Sequence, residues 1–182
     1  VAYSSTPSAS ATSSTPRSSL AFDSDNNPYI AFGEGTTFSP YVKKFDGTSW
    51  VSLGGASVSG TSTSAAIGVS LVIDEADTPW LVYLSSTAAS AGAGTMTLYK
   101  FSSGVWSTTA ASPVTAGIRH TSMALNSAGN LVIAYFSIPD GNKAAVIEYN
   151  KVNNTWGSTT VLGTKDSPYI SLINSVSGSL YC

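Results

Sequence analysis

Three shortages narrow the chemistry open to this chain before any motif is read. It has one cysteine, Cys182, so no disulfide closes within it. It has one histidine, His120, which leaves no His/Cys cluster for zinc and a single base for any Ser-His-Asp relay. Its two arginines, Arg17 and Arg119, are too few for a clamp of three planar forks around a substrate carboxylate.

Charge is scarce as well. Only 10% of the 182 residues are Asp, Glu, Lys or Arg, against roughly 25% in ordinary soluble domains, and the formal net charge is −2. Such a surface has no electrostatic footprint for nucleic acid or anionic lipid, so neither is expected as a partner. The longest uninterrupted apolar run is residues 131–136, far below the roughly 18 that cross a bilayer, and no charged-then-apolar leader precedes Val1. No membrane insertion is expected. Glu34, Asp140 and Glu148 are the only acids outside the obvious turns, and the equivalent positions elsewhere are not acidic. The paired carboxylates of a glycosidase are therefore not found, and the expectation is a non-enzyme without cofactor.

What the chain does have is a repeat. Residues 19–54 read as four short strands: apolar runs at 20–22 and 29–32 flank Asp23-Ser24-Asp25-Asn26-Asn27-Pro28, and runs at 41–45 and 50–53 flank Asp46-Gly47-Thr48-Ser49. The plan returns at 69–106 and 122–156, and its first half returns at 171–182. Asp23, Asp74, Asn126 and Asn174 are equivalent turn residues spaced 51, 52 and 48 apart, and Trp50, Trp106 and Trp156 are spaced 56 and 50 apart. Four strands in about 50 residues is the period of propeller blades. The prediction is an all-β, four-bladed β-propeller of four-stranded antiparallel blades, with no helix, because no window carries a capped 3.6-residue apolar period.

A repeat array is one body, so residues 1–182 are read as a single domain. Residues 1–16 form an N-terminal strand or arm, 17–57 the first blade, 68–111 the second and 120–163 the third. The fourth is split between residues 168–182 and 1–6, because Tyr3 precedes Leu20 by the same 17 residues that separate Trp106 from Met123. Residues 87–94 are expected as an exposed inserted loop. Leu20, Leu71, Met123 and Leu172 should line the inner strands, and the three tryptophans should pack between neighbouring blades. Asp23, Asp25 and Asn27 have calcium-loop spacing but lack the distal glutamate and are not repeated, which favours a plain Asx-turn hairpin. Asn153-Asn154-Thr155 is a glycosylation sequon in an exposed turn.

At SLAFDSDNNPYIAF and KKFDGTSW, the chain resembles the secreted repeat propellers related in architecture to kelch, galactose-oxidase and sialidase-type proteins. The resemblance covers residues 17–182 and implies architecture rather than activity. Kelch repeats carry a paired glycine that only Gly33 and Gly35 approach, and the Asp-box of sialidases spaces its aspartate and glycine differently from Asp46-Gly47, so no active residues carry over.

Two sets of positions remain as candidates. Arg17, Arg119, His120 and Tyr169 precede inner strands and would ring one mouth of the central channel as ligand-binding residues, with solvated strand ends as the rival reading. Val1, Ala2, Tyr3, Ser4 and Ser5, with Leu180, Tyr181 and Cys182, are the assembly candidates. The fourth blade lacks a third strand, and an open ladder is a template for another chain. The function expected is an extracellular, secreted or cell-surface structural propeller that assembles with copies of itself, head-to-tail into a filament, by N-terminal strand exchange. The alternative is a carbohydrate-binding, lectin-like adhesive module, and a glycoside hydrolase comes third. The rival to exchange has residues 1–5 as the third strand and residues 8–14 as the fourth, closing the ring within one chain.

Overall fold

The structure, a computed structural model, describes residues 18–34, 39–55, 57–59, 65–86, 94–164, 170–174 and 180–181. The alternation of apolar and polar residues sends successive side chains to opposite faces, and the Asx and glycine turns reverse the chain between the runs. The first sheet is β1 (Ser19–Phe22), β2 (Pro28–Glu34), β3 (Ser39–Phe45) and β4 (Trp50–Ser52), antiparallel and in sequence order. The second repeats it with β5 (Ala65–Ile73), β6 (Pro79–Ser86), β7 (Thr95–Ser102) and β8 (Val105–Thr108).

The third sheet has β9 (Ile118–Leu125), β10 (Leu131–Ser137), β11 (Lys143–Asn150) and β12 (Thr155–Trp156), and adds β13 (Thr160–Val161) beside β11. β14 (Ile173–Asn174) and β15 (Leu180–Tyr181) form a last antiparallel hairpin. No helix occurs among the described residues. Two starts differ from the sequence reading. β5 begins at Ala65, before the start at residue 68 expected for the second blade, and β9 begins at Ile118, so Arg119 and His120 lie inside a strand rather than before one.

The hairpins share one turn. Asp23 Oδ1 accepts from the backbone N–H of Asp25 and Asn27, Asp74 Oδ1 from Ala76 and Thr78, and Asn126 Oδ1 from Ala128 and Asn130, all at 2.8–3.2 Å. The fourth turn residue takes positive φ in each: Asn26 at 63°, Asp77 at 55° and Gly129 at 74°. Aspartate, asparagine and glycine are the residue types that tolerate this region.

The sheets stack face to face. Tyr29, Ala31 and Val42 of the first pack on Val69, Leu71, Leu81 and Tyr83 of the second. The opposite face of the second, with Trp80, Val82, Leu84, Met96 and Leu98, packs on Met123, Ile133, Tyr135 and Ile147 of the third. Ala124, Val132 and Ala134 then meet Leu172. β10 has apolar contacts on both sides, and all seven of its residues are buried. A strand covered on two faces reads as a continuous apolar run, which is why residues 131–136 lack alternation.

Two tryptophans behave as expected and one does not. Trp106 Nε1 donates to the Leu53 carbonyl at 2.9 Å, and Trp156 Nε1 donates to the Ala110 carbonyl at 2.8 Å, each reaching back to the preceding repeat. Trp50 instead leans on Phe45 of its own sheet, with ring centroids 5.5 Å apart, because no earlier sheet is present among the described residues to receive it. Gly94 also departs from the expected exposed loop: it is buried, and its N–H donates to the Ile118 carbonyl at 2.9 Å. Residues 87–93 lie outside the described residues.

Candidate functional site

Of the four positions assigned to a channel mouth, Arg17 and Tyr169 lie outside the described residues. Arg119 and His120 sit in β9 at a register shift. Thr121 stands opposite Tyr135 and Arg119 opposite Phe136, so His120 is the extra residue of a bulge, with φ of 47°. A bulge re-aims the side chains beside it, so its neighbours cannot be placed by counting along the strand. Of the assembly positions, Leu180 and Tyr181 pair with Asn174 and Ile173, whereas Val1, Ala2, Tyr3, Ser4, Ser5 and Cys182 lie outside the described residues.

The structure brings together a different set. Three segments converge on a groove of about 460 Å³: the crossing that follows the second sheet, the end of β10 with its turn, and the stretch around β13. Pro113 and Pro139 supply apolar lining, while Tyr135, Ser137, Asp140 and Thr159 supply polar atoms. Ser137 Oγ donates to Asp140 Oδ2 at 2.6 Å, and the Tyr135 and Thr159 hydroxyls share a hydrogen bond at 3.1 Å. Burial pushes the Tyr135 hydroxyl above its ordinary pKa, with the nearby Asp140 charge adding to the rise, so the phenol stays protonated near neutral pH.

A backbone hydrogen bond ties the crossing to the turn after β10. Ile138 N–H donates to the Gly117 carbonyl at 2.8 Å, and Gly117 has φ of 70° with Pro139 Cδ 2.8 Å from where a Cβ would lie. Glycine is required there for conformation and for space. A carboxylate and the hydroxyls of Tyr135, Ser137 and Thr159 beside proline rings offer acceptors and donors to a neutral polyol, and apolar patches to its C–H faces. Sequence reasoning noted only Asp140, as an isolated acid. The sequence reading places Asp140 outside the turns, whereas it sits in the turn at residues 138–141, and no spacing rule joins residue 113 to residues 135 and 159.

A second polar cluster ties the sheets to one another. Lys151 Nζ, after β11, is 3.0 Å from Asp74 Oδ2 and 3.1 Å from Glu75 Oε1, and Trp80 Nε1 donates to the same Asp74 oxygen at 2.8 Å. Ser24 Oγ donates to Asp77 Oδ2 at 2.6 Å across the first junction. Every oxygen of Asp74 is already engaged by protein donors, so this cluster is structural. Asp23 is in the same state, with Lys44, Asn27 and Tyr29 on its carboxylate, which leaves no calcium loop. Among the described residues no group of three or more His, Cys, Asp or Glu is placed to hold a metal ion.

No protein-family model and no curated protein matches the chain. Solved structures do. A protein of unknown function from Dyadobacter fermentans is similar with a TM-score of 0.67 and 13% identity, over 90% of this chain and 54% of its own. A fucose lectin from Kordia zhangzhouensis, in complex with methyl-fucoside, is similar with a TM-score of 0.52 and 12% identity, over 82% of this chain and 100% of its own. The Dos1 propeller gives 0.55 and 14%, over 87% and 40%. The chain thus spans about half the length of the Dyadobacter protein and less of the Dos1 propeller. At these identities the likeness establishes the fold, and the fold is a β-propeller.

Proposed function

We propose that this chain is a non-enzymatic, extracellular propeller module that binds neutral carbohydrate in the groove between Pro113, Tyr135, Asp140 and Thr159. The observation that carries the reading is the groove's chemistry: one carboxylate and paired hydroxyls beside proline rings suit a sugar. The weakly charged surface fits a ligand recognised through hydroxyls rather than charge, and one structural neighbour is a fucose lectin. The reading includes four blades, the last split between residues 168–182 and 1–6.

Methyl-fucoside and a panel of other methyl glycosides, followed by saturation-transfer NMR and calorimetry, test it. Saturable binding of at least one glycoside is expected, with Asp140→Ala weakening it about tenfold or more through loss of a charge-assisted acceptor. Absence of binding across the panel, or binding indifferent to Asp140→Ala, would sink the reading.

A second reading is self-association, in which the N-terminal residues 1–6 complete the fourth blade of a neighbouring copy. The open apolar face of the first sheet favours association of some kind. Deleting residues 1–6 tests the exchange: an oligomer should fall to folded monomers, and an unchanged oligomer would exclude strand exchange as its basis.

A further inference from the structure

The three sheet junctions among the described residues are built from one repeated device. Ser19, Ser70, Ser122 and Ser171 occupy the same place in successive inner strands, each followed by Leu20, Leu71, Met123 and Leu172. Ser19 Oγ accepts from the Leu71 N–H at 3.0 Å, Ser70 Oγ from Met123 at 2.9 Å and Ser122 Oγ from Leu172 at 2.8 Å. The hydroxyl of each inner strand therefore satisfies a backbone donor that the next sheet's own ladder leaves out. The registers are equivalent: Leu20 faces Ile30 as Leu71 faces Leu81 and Met123 faces Ile133.

Apolar contacts repeat with the hydrogen bond. Leu71, Ile73, Leu81, Tyr83 and Trp106 cover the first sheet, and Met123, Leu125, Ile133, Tyr135 and Trp156 cover the second. The corresponding positions of the first sheet are Leu20, Phe22, Ile30, Phe32 and Trp50, yet Leu20 is 58% and Phe22 53% exposed. On the side facing the next sheet, Ala21, Val72 and Ala124 each enter a core. Their counterpart Ile173 is 61% exposed, beside an exposed Ser171. Among the described residues, the chain thus presents the donor half of a junction on its first sheet and the acceptor half at β14, both exposed rather than joined to each other.

We propose that these half-junctions meet between molecules: the first sheet of one copy docks on β14 of a second copy, head to tail, with the Leu20 N–H donating to Ser171 Oγ and Leu20 and Phe22 packing on Ile173. The occupant is a second copy because the chain itself carries the matching half, at a place where three equivalent junctions specify the same serine and the same apolar pair. The inference deepens the self-association reading above but does not depend on strand exchange. A heterologous contact of this kind propagates until it closes into a ring.

Sedimentation velocity of the whole chain over a wide concentration range, with circular dichroism to check folding, tests the proposal. Wild type should associate. Phe22→Lys and Ile173→Lys, both at exposed positions that leave the core intact, should each be folded and monomeric. Mixing the two variants should restore a one-to-one dimer and nothing larger, since one retains a working tail and the other a working head. Ser171→Ala should weaken association about tenfold. A wild type that stays monomeric would overturn the proposal and hand the face to the same chain or to another protein. An oligomer untouched by either lysine, or variants that fail to complement each other, would overturn it too. Deletion of residues 1–6 separates the two ideas, because face docking survives it, and glycoside binding by the monomeric variants reports on the carbohydrate reading independently.

Discussion

Asp23, Asp74 and Asn126 do the same work in three successive hairpins, and only two of them titrate. Burial opposes ionisation of Asp23, but the hydrogen bonds from Asn27 and Lys44 outweigh it and hold its carboxyl well below the usual range. Asp74 is lowered in the same way, against burial, by Trp80 and Lys151. A carboxylate whose folded pKa lies below its unfolded one contributes stability that is complete above the unfolded value and lost as pH falls toward the folded one. The urea midpoint should therefore be flat from neutral pH down to about 4 and then fall. Asp74→Asn keeps an acceptor for the turn, as Asn126 shows, but loses the ion pair with Lys151. It should lower stability at pH 7 and flatten the acid limb, and a midpoint whose pH profile matched wild type would contradict the assignment.

At the scale of elements, what joins one sheet to the next is an indole and a hydroxyl. Trp106 fits against Gly54, whose absent Cβ would lie 2.8 Å from Trp106 Cδ1, and Gly54 has φ of 86°, so the residue beneath the indole must be glycine on both counts. Trp106→Ala removes a large packed side chain and leaves a void at the first junction, at an expected cost of about 3–5 kcal/mol in urea unfolding. Trp50→Ala in the monomeric Phe22→Lys background should cost much less, because among the described residues no preceding sheet receives the Trp50 indole, which leans on Phe45 of its own sheet. Equal costs would mean that the first sheet's outer face is already covered by the chain itself. The hairpins and strand order were legible here, since each turn announces itself by Asp, Asn or Gly. The partner of each indole was not, because Leu53 and Ala110 are ordinary residues that matter only through their carbonyls.

At the scale of the molecule, the repeat of about 50 residues determined from the sequence alone that the chain is a stack of four-stranded antiparallel sheets. Local periodicity and turn chemistry need no tertiary information, because they act on neighbouring residues. The inner positions Leu71, Met123 and Leu172 followed from the same count and are buried. Tertiary structure decided which repeats are covered and which are open. Leu20 has the same local sequence setting as Leu71, yet it is exposed where Leu71 is buried, because burial depends on the neighbouring sheet and not on the strand. The groove at Tyr135 and Asp140 was decided in the same way. Its walls come from three segments whose separation in sequence follows no period, and packing of the crossing against the β10 turn brings their hydroxyls and carboxylate to one groove.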